Sequence, residues 1–519
     1  MQENNWGDHT YIETFSDKFL EDILFKGRPL VITKTKMRNV EKNYEFLRSF
    51  SADKVIYGIN TGFGPMAQYR ISDEDLAELQ YNIIHSHACG TGGPLPDIYV
   101  KAAMLCRCLT FLLGKSGVHP DTVQILAYFI NNDIIPVVPR HGSVGASGDL
   151  VQLAHIALTL IAEGEVIYKG KKCPTVDAML KEKISPLLLR LRDGLALCNG
   201  TSMMTGIAFV NLHYCDILQF WSIVTSLLIN EIAGSYDDFL SPELNNSKVH
   251  PGQKYVAGTM REIAKGSKCL KNRQKELYKQ KSNETYFKSR IQPYYSLRCV
   301  PQILGAAFDE MQFVRNIVQN EINSVDDNPI VDIESKNIYH GGNFHGEYVA
   351  FAMDKLKMAV CKTTMLAERQ LNYLLHDRVN EILPPFVNLG KLGLNYGMQG
   401  AQFTATSTTA ESQTLCYPMY IHSIPNNNDN QDIVSMGTNA ALLAAKVIDN
   451  AFEVMAIYCI ALAQAVDYLK IKNKLSVSSL YAYETVRSVM PAFKEDAPKY
   501  AYIEKVINEI KQSKNNFRQ

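Results

Sequence analysis

The chain has 519 residues, with Lys plus Arg and Asp plus Glu balanced at 53 each, which removes any electrostatic case for nucleic acid or an anionic membrane as a partner. A length of this order fits three or four domains or one large unit, and it buries roughly three quarters of the surface the unfolded chain exposes. The 11 cysteines are an odd number without a CxxC pair, the pattern of free thiols in a reducing compartment. Residues 1–6 are polar with no signal-peptide core, and the longest uncharged apolar stretch, 454–466, is bracketed by Glu453 and Asp467 and too short for a bilayer. A soluble, cytoplasmic protein is expected, with no nucleic acid and no membrane as partner.

In chain order, residues 29–35 read as a short strand. The glycine-rich run Tyr57-Gly58-Ile59-Asn60-Thr61-Gly62-Phe63-Gly64 follows. Its glycines permit a tight, mobile lid that excludes water on closing, and no Gly-Lys-Ser/Thr follows to make it a phosphate loop. His85 and His87 alternate within 82–88, but no Cys or carboxylate joins them, so no metal site is expected. Next comes Pro139-Arg140-His141-Gly142-Ser143-Val144-Gly145-Ala146-Ser147-Gly148-Asp149-Leu150. Ala-Ser-Gly is commonly no more than a small-residue turn. Here the Gly148 nitrogen, with no Cβ beside it, can close onto the Ala146 carbonyl. Loss of two waters then leaves a methylidene-imidazolone (MIO), an electrophile that side chains do not otherwise supply. Asp149 is placed to cap a helix carrying Leu150, Leu153, Ala154, Ala157, Leu158 and Ile161 at helical spacing until Gly164, whose positive end faces the tripeptide.

Residues 165–174 read as strand, and 330–340 as strand with a turn at 334–337. The basic stretch 268–281 is interrupted by Glu276 and reads as a solvated face or loop. Arg298 lies between Leu297 and Cys299-Val300, an apolar setting that argues for burial with a partner. Helical spacing covers 303–322, 348–383 and 438–468, the second stopped by Pro384-Pro385. Three such segments argue for a bundle with its site between facing helices, and residues 511–519 are expected to fray. The fold class is therefore mainly α with a few short strands or hairpins.

Seven blocks, taken together, resemble one known family. They are 57–64, 145–150, Asn199-Gly200-Thr201, Tyr295-Ser296-Leu297-Arg298, Asp327-Asn328-Pro329, Gly341-Gly342-Asn343-Phe344-His345 and Asn430-Gln431-Asp432. The chain resembles the aromatic amino acid ammonia-lyases, which include histidine, phenylalanine and tyrosine ammonia-lyases and related aminomutases, and is most similar to the tyrosine ammonia-lyase type of flavobacteria. The resemblance implies an N-terminal MIO-bearing region at 1–199 and an elongated long-helix bundle with C-terminal helices at 200–519. These form one contiguous lyase unit without the shielding segment of plant and fungal phenylalanine enzymes. It implies a homotetramer whose active sites each draw residues from three subunits. The cofactor would be an MIO made from Ala146, Ser147 and Gly148, with no external cofactor or metal.

The reaction implied is loss of ammonia and a β-proton from an aromatic amino acid. A phenol of ordinary pKa, about 10, takes that proton only if its surroundings favour phenolate. Tyr57 is the candidate base. Arg298 would bind the substrate carboxylate with its fork of donors, and Tyr295 would assist MIO formation and the cycle. Asn199, Gln292 and Asn328 would orient the MIO or the carboxylate, Phe344 would pack beside them, and Gly64 would line the substrate site. Two places bear on which ring is taken. At Ser86-His87, where histidine ammonia-lyases read Ser-His, an imidazole hydrogen-bonds a phenol or an imidazole but is wasted on a phenyl ring. At Asn427 and Gln431 the chain carries neutral amides, whereas histidine ammonia-lyases have Glu at the latter position. The combination fits L-tyrosine, giving trans-p-coumarate and ammonia. Histidine ammonia-lyase, tyrosine 2,3-aminomutase and phenylalanine ammonia-lyase are the alternatives, and a non-catalytic helical scaffold is disfavoured by the intact tripeptide, Tyr57 and Arg298.

Overall fold

The protein was analysed as a computed structural model that describes residues 14–279, 285–287 and 291–513. The sequence expectations at 1–6, at 280–281 and at 514–519 lie outside the described residues. Among the described residues are 20 α-helices and seven short strands, the mainly α class expected. Contacts divide the chain into two units, but not at 199/200. One comprises Met1–Val210, Arg315–Met353 and Pro418–Leu442, and the other Asn211–Val314, Asp354–Tyr417 and Leu443–Gln519. The physical reason is that Arg315–Met353 and Pro418–Leu442 supply buried partners to groups in the N-terminal segment, as with Asp326 and Thr438 below.

In the first unit, the Asp97–Leu112 helix is buried from Ala102 to Leu112, so its apolar residues run all round rather than along one stripe. Three small antiparallel sheets surround it in sequence. Thr91–Pro94 pairs with Pro139–His141, Glu165–Tyr168 lies between Ile135–Pro136 and Lys171–Pro174, and Ile330–Asp332 pairs with Asn337–Tyr339. The last hairpin falls where the strand-turn-strand reading of 330–340 put it, whereas 165–174, read as strand, folds back on itself into two paired strands. Leu47, Ile56, Ile59, Val331 and Ile338 form one core cluster.

Residues 29–35 are not a strand. The backbone instead enters the Lys34–Ser51 helix, with the Thr33 hydroxyl accepting from Lys36 N at 3.3 Å. Thr33 works here as an N-cap, a local hydrogen bond that outcompetes the β preference of Val31 and Ile32.

In the second unit the helix expected at 348–383 runs Glu347–Leu375 and stops nine residues before Pro384. Asn380 ends it: its amide nitrogen donates to the carbonyls of Tyr373, Leu374 and His376, and its oxygen accepts from Ile382 N and Leu383 N. One side chain thus satisfies the carbonyls that a helix end leaves open. The Val300–Ile322 and Gly437–Leu469 helices match their expected spans. Ser202–Ala233 and Gly437–Leu469 are long and apolar enough to cross a bilayer by length and composition, contrary to the reading of 454–466. Of their most apolar windows, 72% and 78% is buried inside the protein.

The first unit encloses a charged network. Arg107 and Asp326 pair at 2.5 Å with 1% and 4% of their side chains exposed. Asp326 also accepts from Thr110 Oγ1, Thr201 N and Thr201 Oγ1. The Thr201 hydroxyl lies 2.5 Å from Glu321 Oε1 and 2.9 Å from Asp326 Oδ2. One hydroxyl hydrogen cannot serve two carboxylates. Burial first, then the Asp326 charge, push the Glu321 carboxyl up to about 7. Because the folded pKa is raised, the unfolded chain loses this proton first as pH rises. The folded state therefore loses stability from the ordinary Glu range up to about pH 7. Glu321→Gln keeps the acceptor and removes the titration. Its melting temperature should fall less than that of the parent between about pH 5 and pH 8, as read by thermal unfolding across buffers; parallel profiles would exclude Glu321 as the cause.

Candidate active site

The Ala146-Ser147-Gly148 turn is held from several sides within the first unit. Gly148 has φ +72°, and a Cβ there would lie 2.0 Å from Gly200 O, so only glycine fits. Gly145, at φ +72°, packs as tightly against Ser435. Ala146 is buried and Ser147 half-buried.

Asp149 stands at the start of the Leu150–Leu160 helix without capping it. Its carboxylate instead accepts from Ser143 Oγ at 2.7 Å, Thr438 Oγ1 at 2.5 Å and Met204 N at 2.9 Å, while Asp149 N donates to Gly200 O at 2.8 Å. Burial raises its pKa against those three donors. The sequence suggested a helix cap; the structure makes it a tie between three distant segments.

Asn199 is the second anchor. Its Nδ2 donates to Ser147 O at 3.0 Å, its Oδ1 accepts from Asn328 N at 2.9 Å, and its carbonyl accepts from Arg107 Nη1 at 2.6 Å. The Asn328 side chain accepts from Gly341 N at 2.8 Å. Gln431 Nε2 donates to Ser147 Oγ at 2.8 Å. Tyr57, in the run 57–64, accepts from Gly64 N at its phenol oxygen at 3.2 Å, which leaves the phenol hydrogen for another acceptor.

These residues line one cavity of about 730 Å³, with Tyr57, Gly64, Ser86, His87, Ser147, Asn199, Asn328, Phe344, Asn427 and Gln431 in its wall. It falls within the usual range for a small-molecule site. Among the described residues no Asp, Glu, Lys or Arg lines it, so its polar character comes from amides, hydroxyls and imidazoles.

His87 ends the Leu76–His87 helix, and its Nδ1 lies 2.9 Å from both Ile83 O and Ser86 Oγ; in the tautomer that donates from Nδ1 to the carbonyl, Nε2 is an acceptor. His85 turns away and meets Glu163 at 3.1 Å.

Three expected residues are not in this wall. Gln292, Tyr295 and Arg298 belong to the second unit. Tyr295 is 71% exposed. Arg298 is half-buried, donating to Pro293 O at 2.7 Å with its guanidinium over the Tyr295 ring at 4.6 Å. It therefore has the partners, though not the full burial, that its apolar neighbours suggested. Conversely, His340, Asn430, Phe63 and Leu195 line the cavity without having been singled out. His340 stacks edge-on to Tyr57 at 6.5 Å and directly precedes the Gly341-Gly342 turn, a signal that was available. Leu195 had none, since helical spacing marks it only as core.

A family model described as aromatic amino acid lyase matches residues 18–488. A histidine ammonia-lyase from Geobacillus sp. (strain WCH70) is 37% identical, over 91% of this chain and 90% of that protein. A tyrosine 2,3-aminomutase from Myxococcus fulvus is 38% identical over 87% of each. The solved structure of a tyrosine aminomutase from Streptomyces globisporus superposes with a TM-score of 0.91 at 34% identity, covering 96% of both chains.

Proposed function

Because the chain belongs to the aromatic amino acid lyase family, we propose that it eliminates ammonia from L-tyrosine to give trans-p-coumarate, using an MIO formed from Ala146, Ser147 and Gly148. The observation that carries this reading is the placement of Ser147, the centre of that tripeptide, and Tyr57 in the wall of one cavity that, among the described residues, has no Asp, Glu, Lys or Arg. The residues fit the group: Gly148 has no room for a Cβ, Gln431 holds the hydroxyl that would leave as water, and Asn199 holds the neighbouring carbonyl. The MIO would supply the electrophile that makes the substrate amine a leaving group. Tyr57 takes the β-proton, with the Gly64 amide holding its oxygen in place. His87 accepts the substrate phenol O–H at Nε2, the bare nitrogen opposite the Ile83 contact. Phe344 packs at the same wall, and Asn328 and Asn427 offer neutral donors beside it.

The substrate carboxylate needs a cation that this wall does not hold. Arg298 provides it from another copy in a homotetramer, together with Gln292 and the exposed Tyr295. Tyrosine is favoured over histidine by the lining itself. A basic imidazole ring gains from a nearby carboxylate, and here Gln431 presents a neutral amide. The second reading, histidine ammonia-lyase, rests on Ser86-His87 and on the relatives: the Geobacillus protein carries that name, and its kind outnumbers the tyrosine aminomutases among the similar proteins. The return of the amine to the β-carbon, as in an aminomutase, depends on how long the acrylate stays bound.

Purified protein given tyrosine, histidine or phenylalanine separately should produce p-coumarate fastest, followed by ultraviolet absorbance of each acrylate. Faster urocanate would transfer the assignment to histidine, and β-tyrosine as main product would make it a mutase. Intact mass should fall two waters short of the encoded chain, and Ser147→Ala should restore the full mass and abolish turnover; a full wild-type mass in active protein excludes the MIO. His87→Leu removes the phenol's acceptor and packs better against a bare ring. A buried polar mismatch costs about 1–3 kcal/mol, so the kcat/KM ratio of phenylalanine over tyrosine should rise by about 10-fold or more. An unchanged ratio would move phenol recognition off His87.

A further inference from the structure

None of the 11 cysteines is in a disulfide. Cys106, Cys108, Cys198 and Cys459 are enclosed, and burial pushes their thiols far above the ordinary value. Such thiols are inert as nucleophiles. Cys361 and Cys416, both in the second unit, differ. Cys361 sits in the Glu347–Leu375 helix with 5% of its surface exposed, whereas Cys416 is half-buried at the C-terminal cap of the Gln399–Leu415 helix.

The Cys416 sulfur lies against the helical turn that ends at Cys361, and each thiol shifts the ionisation of the other. Cys416 Sγ lies 3.5 Å from Lys357 O, the carbonyl one helical turn before Cys361, to which the Cys361 amide is directed in an α-helix. A second contact pins the chain just beyond: Lys357 Nζ donates to Tyr417 O at 2.8 Å. The Cys416 sulfur is thus held against the turn that carries Cys361, at a helix end where small backbone adjustments are cheap.

We propose that Cys361 and Cys416 are a dithiol modification site that closes to a reversible disulfide by exchange with a low-molecular-weight disulfide. The half-buried Cys416 meets the oxidant. Its thiolate attacks one sulfur of the oxidant, whose S–S bond breaks and expels one thiolate. The Cys361 thiolate then attacks the Cys416 sulfur of the mixed disulfide and expels the second. The two cysteine protons end on the two released thiols, and the two electrons lost by the cysteine sulfurs reduce the two sulfurs of the oxidant, whose S–S bond is replaced by the one between Cys361 and Cys416. Cys361 is suited to the resolving role: the neighbouring Cys416 thiol, then the Lys362 charge, favour its thiolate against burial. The Cys416 thiol is raised, by Cys361 first and then by burial, with Lys357 working against both; transfer of the proton the pair retains from Cys416 to Cys361 presents the anion at the half-buried sulfur. The bond would tie the Glu347–Leu375 helix to the end of the Gln399–Leu415 helix. The inference does not rest on the activity proposed above.

The test treats the full-length protein with oxidised glutathione, quenches free thiols with an alkylating agent, and maps peptides by mass. A linked peptide pair carrying Cys361 and Cys416, two hydrogens lighter than the sum of its parts and separated by dithiothreitol, is the expected result. Cys361→Ser should instead retain glutathione on Cys416, because the resolving thiol is gone. Glutathione held on Cys416 in the wild type, with Cys361 still alkylated, would overturn the proposal. So would a fully alkylated Cys416 under conditions that load the exposed Cys89.

Discussion

The first unit depends on a guanidinium–carboxylate pair taken out of water. Arg107 and Asp326 are both almost wholly enclosed, so each is costly to bury and each is tolerable only beside the other. Their spare hydrogen-bonding capacity then becomes a positioning device. Arg107 holds the Asn199 carbonyl, and Asp326 takes the Thr201 amide and hydroxyl, so the chain from 199 to 201 is fixed at both ends. Gly200 between them is obligatory, since a Cβ there would lie 2.0 Å from Arg107 Nη1. That segment in turn presents Gly200 O to Asp149 N and the Asn199 amide to Ser147 O. A buried charge in one helix thereby determines where a reactive turn sits on another.

A parallel arrangement fixes the opposite wall. Arg192, fully buried near Asp327, donates to the carbonyls of Asn328 and Pro329 and to that of Ser116. Asn328 can then accept from Gly341 N and donate to Asn199. Both enclosed guanidinium groups spend donors on backbone carbonyls, and Arg107 also on the Asp326 carboxylate, rather than on the cavity. Among the described residues, the cavity wall is left with amides, hydroxyls and imidazoles and with no carboxylate, ammonium or guanidinium group.

Where sequence patterns misled, a short polar side chain had found a partner other than the expected one. Thr33 turned an apparent strand into a helix start by accepting from Lys36 N. Asn380 ended a helix that its apolar periodicity and Pro384 would have let run on. Asp149 gave up the cap position for three donors on other segments, two of them remote in sequence. In each case the residue type was visible in the sequence, and the choice between equally available partners was not.

The sequence by itself determined the helical class, the strand character at 165–174 and 330–340, and the family, and it picked out Ser147, Tyr57, Asn199, Phe344 and Gln431, which line one cavity. These follow from local spacing and from residue types whose chemistry has few substitutes. Only the tertiary structure decided that 315–353 and 418–442 fold with the N-terminal segment and that His340 and Leu195 share the wall with Tyr57. The physical reason is common to both. Each depends on which groups meet across long stretches of chain, and such pairings carry no period or motif that the sequence could display.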